Sequence, residues 1–198
     1  MNIAIIKYNA GNTKSVENAL LRIGIQPIIT DDIEQIQNAD KVIFPGVGHA
    51  QPTMQYLKER NLDNVIKNLK QPVLGICLGQ QLMCAHSEEG HVDCLNIFPV
   101  KVKRFESKNV SDKIPQIGWN NLYDLKSKLF ENMAENSFVY FVHSYYCELN
   151  EHNIATCNYI HPFSAALQKD NFYAVQFHPE KSADIGQQMI QNFIGLAD

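Results

Sequence analysis

The sequence has no apolar run near the roughly 18 residues needed to cross a bilayer, so no membrane-spanning segment is expected. It has no excess of basic charge. Lys and Arg number 17 against 21 Asp and Glu, for a formal net charge of −4, where a nucleic-acid-binding surface would be basic. It has no Cys-x₂-Cys pair. Cys77, Cys84, Cys94, Cys147 and Cys157 fall at irregular spacings, which suits free thiols in a reducing cytoplasm better than a disulfide framework or a thiolate metal site. His49, His86, His91, His152 and His161 are scattered without metal-ligand spacing, and no metal is expected. There is no G-x-G-x-x-G and no P-loop, no internal repeat and no Gly/Ser-rich linker. One domain over residues 1–198 is therefore expected. The opening "MNIAIIK" lacks the basic start and long apolar core of a secretory signal and reads as a first buried strand.

What is present is an alternation. "NIAIIK" (2–7), "QPIIT" (26–30), "KVIFPG" (41–46) and "PVLGIC" (72–77) are short apolar runs of the kind that fill a sheet covered on both faces. Between them, "TKSVENALLRIG" places Val16, Ala19, Leu20 and Ile23 on one helical face with Gly24 as a stop. "DDIEQIQNA" starts on Asp, and "PTMQYLKERNLDNVIKNLK" is amphipathic helix in two pieces. "LGQQLMCAHS" (78–87) is expected as helix. The second half is mostly strand-like, with helix expected only at "SKLFENM" and "SADIGQQMIQNFIGL". The pattern predicts an α/β fold: an open, mixed, mainly parallel sheet flanked by helices, with antiparallel strands added to the same sheet.

Three strand ends carry chemistry. Gly75-Ile76-Cys77-Leu78-Gly79 is a nucleophile elbow with sulfur in place of oxygen; the small flanking residues permit a sharp strand-to-helix turn beside a helix N-terminus. "VQFHPEKS" (175–182) supplies a base and an orienter: in extended chain His178 and Glu180 point to the same side, and Pro179 favours that shape. "FPGVGH" (44–49) ends what should be the neighbouring strand, and its glycines let backbone N–H groups of Gly46, Val47 and Gly48 join that of Leu78 as oxyanion donors. A nucleophile, a base, an orienter and an oxyanion site complete one mechanism.

These motifs, in this order, resemble those of the class I (triad) glutamine amidotransferases. "YNAGNTKSVENAL" (8–20), "PQIGWN" (115–120) and "FVHSYY" (141–146) are further similar to the glutaminase subunits of imidazole glycerol phosphate synthases, so the resemblance spans essentially the whole chain. It implies a flavodoxin-like sheet and hydrolysis of L-glutamine through a thioester on Cys77, with His178 and Glu180 completing the triad and no metal or organic cofactor. It assigns Gln81, Ser144 and Tyr145 to holding the glutamine. It implies a heterodimer with a (β/α)₈-barrel cyclase that uses the ammonia in histidine biosynthesis, with Asn12, Trp119, Asn120 and Lys181 toward that partner and low activity without it. A peptide flip in the "PGVG" loop is the expected switch. Asn9, where relatives often carry Gly, and Gln80, where Met is common, leave open a paralogue serving another synthase, such as one amidinating surface sugars. A cysteine hydrolase and a non-catalytic scaffold are the further alternatives.

Overall fold

A computed structural model of the chain describes residues 1–9 and 12–196. Ala10 and Gly11, in the middle of the "YNAGN" motif, lie outside the described residues. The first half alternates as the apolar runs require: β1 (Ile3–Ile6), α1 (Thr13–Arg22), β2 (Ile28–Thr30), α2 (Ile33–Gln37), β3 (Lys41–Gly46), α3 (Ala50–Glu59), α4 (Leu62–Asn68), β4 (Val73–Cys77) and α5 (Leu78–Met83). Helix α1 buries Val16, Ala19 and Leu20 and stops before Gly24, which takes a φ of 81°. Asp32 caps α2 through a 2.9 Å bond from the Gln35 N–H.

The chain continues through β5 (Cys84–Ser87), β6 (Val92–Asp93), β7 (Phe98–Arg104), β8 (Gln116–Asn121), β9 (Phe138–His143), β10 (Tyr145–Cys147), β11 (Asn153–Asn158), β12 (Pro162–Lys169), β13 (Phe172–Val175) and α6 (Ala183–Gly195). Among the described residues the main sheet runs β2-β1-β3-β4-β13-β12-β10-β7-β5-β6, with β11 on β12. Its β2-β1-β3-β4-β13 stretch is parallel, and β12 begins the antiparallel extension. Side chains alternate between two cores. Ala4, Ile6, Val42 and Phe44 join α2 to α5 on one face, and Ile3, Ile5, Ile43 and Leu74 join α1 and α6 on the other. Each fully buried Ile, Leu or Phe contributes about 1.5–3 kcal/mol, so both faces hold the parallel strands in register.

The structure corrects three expectations. "LGQQLMCAHS" is helical only over Leu78–Met83; Cys84–Ser87 is strand β5. It pairs in parallel with β7, Cys84 opposite Phe98 and Ser87 opposite Val102, and this buries Cys84 and Ser87. Tertiary pairing thus overrides a helical pattern too short to hold itself. Strands β8 and β9 form a separate two-stranded sheet rather than extending the main one, because the inward residues Val139 and Phe141 pack in the core on the α1/α6 face. "SKLFENM" contributes one 3₁₀ turn, Lys128–Phe130, started by Ser127.

Candidate active site

Strands β3, β4 and β13 are parallel neighbours, so their carboxyl ends lie side by side. Gly46 is opposite Cys77 and Val175 opposite Ile76. This brings the three sequence motifs to one edge of the sheet, where open α/β folds place their reacting groups. Cys77 joins β4 to α5 at φ 54°, ψ −107°, a backbone shape that costs an L-residue on the order of 1–3 kcal/mol. Packing enforces it. A Cβ on Gly79 would collide with the Phe44 carbonyl, so only glycine there lets α5 start directly against β3. The Cys77 side chain is left 7% exposed.

His178 and Glu180 meet as their chemistry requires, with Nδ1 2.8 Å from the carboxylate Oε1 and both side chains buried. The route differs from the expected extended segment. His178 is extended (φ −102°, ψ 93°), but Pro179–Lys181 is a 3₁₀ turn. The turn is tied down by Ser182, whose hydroxyl donates to the His178 carbonyl at 2.6 Å and accepts from the Tyr140 N–H at 2.9 Å. Burial alone would push the His178 imidazole down, but hydrogen bonds to Cys77 and Glu180 outweigh it and raise the ring to about 10. The ring therefore favours its protonated form between sulfur and carboxylate. Asn12, expected toward a partner, donates to the same Glu180 oxygen at 3.3 Å.

On the other side of Cys77, the buried Tyr8 hydroxyl donates to the Pro45 carbonyl and anchors the end of β3. Burial and the nearby Cys77 push that phenol well up, so it stays a donor. Beyond this anchor the loop is less tied. Val47 is 41% exposed and Gly48 takes a φ of 130°. Among the described residues no hydrogen bond engages the N–H of Val47 or Gly48.

Val47, Gly48, Cys77, Leu78 and His178 line a cleft of about 310 Å³, the small end of the ligand-pocket range and room for an amino acid rather than a nucleotide or peptide. Gln81, Ser144, Tyr145 and Lys181 line it as well, while Gly46 and Glu180 do not. The cleft also includes Glu89 and His143, which sequence reasoning did not assign to it. The Glu89 carboxylate is raised by burial and caps the Ala50 N–H at 2.8 Å. His143 is held down to about 4 by burial and is neutral. Its Nδ1–H donates to the Tyr145 carbonyl at 2.7 Å. Its Nε2 lies 2.9 Å from the Gln116 side-chain oxygen.

A second overlooked residue is Gln176, fully buried two positions before His178. It accepts at 2.9 Å from Gln81 and donates at 3.6 Å to the Cys77 sulfur. The signal was in the strand alternation, which places residues 176 and 178 on one side.

Trp119 is 53% exposed on β8, paired with Tyr140 of β9. Pairing also brings Ile117 opposite Val142 and Asn121 opposite Phe138, so an outward apolar face runs from the rim of the cleft along the hairpin. Asn120 lies on the opposite side of β8, its amide donating to the Asn158 carbonyl at 2.9 Å.

Residues 4–196 match the family model described as glutamine amidotransferase class-I. The chain is 59% identical over 196 residues to the imidazole glycerol phosphate synthase subunit HisH of Bacteroides thetaiotaomicron, covering 99% of this chain and 100% of that one. It is 47% identical over 195 residues to the Haemophilus influenzae subunit of the same name, covering 98% and 97%. Among solved structures, the fold matches a chain of PurLQS from Thermotoga maritima. The TM-score is 0.70 at 15% identity, over 98% of this chain and 97% of that one.

Proposed function

The chain belongs to the class-I glutamine amidotransferase family and, within it, to the HisH subunits of imidazole glycerol phosphate synthase, and we propose how its residues carry out the glutaminase reaction. The chain is read as one glutaminase domain. The Cys77 sulfur, its proton passed to His178, attacks the side-chain amide carbon of L-glutamine. Backbone N–H groups of Leu78 and of the Gly46–Gly48 loop hold the negative oxygen. His178 returns the proton to the departing nitrogen, and ammonia leaves with a thioester on Cys77. His178 then takes a proton from water, the hydroxide attacks the thioester, and glutamate and the thiol are released. Glu180 keeps the imidazole oriented and stabilises its cationic form; Asn12 supports Glu180. Both N–H bonds of Gln81 are engaged, by the Tyr145 carbonyl and by Gln176. Its amide oxygen is therefore the atom offered to the substrate's α-ammonium, with Ser144 and Tyr145 alongside.

The ammonia goes to a cyclase subunit with a (β/α)₈ barrel, in the cytoplasm. The outward face of Ile117, Trp119 and Phe138, each more than half exposed, supports this docking, with Lys181 at the rim as a cation for an acidic partner residue. The single observation that carries the reading is the meeting of Cys77, His178 and Glu180 at adjacent strand ends. Ammonia release from glutamine tests it, measured with the chain alone and with the cognate cyclase and its nucleotide ligand. Strong stimulation is expected. Equal turnover in both would withdraw the gated partnership, and no turnover in either would withdraw the mechanism.

A further inference from the structure

We propose that Gln176 is a catalytic residue whose amide N–H stabilises negative charge on the Cys77 sulfur, and that Gln81 fixes the amide in the orientation this requires. The inference rests on Cys77 being the nucleophile of the reaction above and adds a donor outside the Cys–His–Glu set.

The orientation follows from a chain of hydrogen bonds with one possible polarity. It starts at the Tyr145 carbonyl, which can only accept. That oxygen receives the neutral His143 ring at 2.7 Å and the Gln81 NH₂ at 3.1 Å. The second N–H of Gln81 points to the Gln176 side-chain oxygen at 2.9 Å. With its oxygen so occupied, the Gln176 amide has its NH₂ toward Cys77, 3.6 Å from the sulfur, a fitting separation for an N–H donor to so large an acceptor. A reversed Gln176 would set its oxygen against an electron-rich sulfur and its NH₂ against the NH₂ of Gln81. Because Gln176 is fully buried, the donor acts where water screens little.

The other charged or titratable groups about Cys77 do different tasks. His178 exchanges the proton, Tyr8 is occupied at Pro45, His143 is neutral, and Lys181 and Glu89 line the cleft. Gln176 is a neutral donor that stays in place while the proton moves. When the thiol gives its proton to His178, the N–H···S contact becomes charge-assisted. It weakens as the C–S bond forms and strengthens again when the thioester is hydrolysed. The same amide ties the substrate-facing Gln81 to the nucleophile, so seating glutamine and aligning the sulfur are one event.

Gln176→Met, which keeps length and removes the donor, tests this. The readout is thiolate absorbance in the ultraviolet as pH is varied, taken as the difference from the matching chain carrying Cys77→Ser. No glutamine is needed, so the result stands apart from whether glutamine is the substrate. The thiolate titration is expected to move to higher pH in Gln176→Met. With the partner present, kcat is expected to fall about 10- to 100-fold, the scale of a hydrogen bond to a charged group, with less change in KM. Unchanged titration in a folded Gln176→Met chain would overturn the proposal. Should that chain fail to fold, Gln81→Met, which frees the Gln176 amide to turn, must shift the titration in the same direction; no shift there would overturn it equally. Turnover lost in Cys77→Ser but retained in Gln176→Met, with the titration moved, would place the donor on the resting thiolate only and overturn its part in the attack.

Discussion

The two sides of Cys77 are built differently. Toward β13 the side chains are buried and tied to one another: His178 to Glu180 at 2.8 Å, Gln81 to Gln176 at 2.9 Å, and Ser182 bracing the turn between strand and helix. Toward β3 the strand ends at Gly46, just past the Pro45 carbonyl held by Tyr8, and the next residues are a half-exposed valine and a glycine at φ 130°. The proton-transfer apparatus is therefore complete in this chain by itself. The N–H groups of Val47 and Gly48, proposed above as oxyanion donors, are engaged by no hydrogen bond among the described residues. Under the proposed mechanism a synthase that must not waste glutamine would gain from this division: the buried side would keep the nucleophile ready, and the loop would decide when it counts. The loop also lies by the apolar rim where a partner would dock, so contact there can set its shape without disturbing the triad.

The largest test removes what both sides share. Cys77→Ala should abolish ammonia release by about 10⁴-fold or more, the scale seen when a nucleophile is deleted, while the fold survives because no core methyl is lost. Retained turnover would mean the cleft acts without a thioester. Next comes the rigid side. Glu180→Gln keeps shape and removes charge, and should cost about 10- to 100-fold in kcat; the His178 ring, followed by NMR, should titrate lower than in the native chain. An unmoved titration would show that Glu180 does not stabilise the imidazolium. The loose side should respond less and in another quantity. Gly48→Ala places a Cβ at a φ that L-residues resist by roughly 1–2 kcal/mol. Partner-stimulated turnover should fall about 10-fold, with alkylation of Cys77 unchanged. If alkylation fell in step, the two sides would not be separable.

The sequence made the rigid side far more legible than its surroundings. Buried parallel strands announce themselves as continuous apolar runs, and the motifs at their ends inherit the sheet's geometry, so Cys77, His178 and Glu180 could be brought together from spacing alone. Gln81, Ser144 and Tyr145 needed the family resemblance, because no periodicity distinguishes a cleft-lining polar residue from a surface one. Gln176 went unread since strand alternation says only that it shares a side with His178; its meaning comes from Gln81, 95 positions away. Strand β5 was misread as helix because its pairing partner β7 lies further along the chain. The detached β8–β9 sheet was equally hidden, its six cross-strand pairs joining residues 116–121 to 138–143.

The finest test asks whether the rigid side also stabilises the fold. A histidine raised from about 6.5 in the unfolded chain to about 10 in the folded one binds its proton more tightly when folded. Its contribution is fully present below the unfolded value and is lost as pH rises through about 10. Stability measured by urea unfolding should therefore decline between neutral pH and pH 10. The decline alone is not diagnostic. Burial pushes the thiols of Cys84, Cys94 and Cys157 up, the latter two to about 12, and groups raised in this way pull stability in the same direction. The informative quantity is the difference between the native chain and Glu180→Gln. Those thiols are common to both, whereas the folded value of His178 falls in the variant, so its curve should be flatter over this window. Parallel curves would mean that the Glu180 carboxylate orients the ring without holding its charge, and the contrast between the two sides of Cys77 would reduce to one of packing.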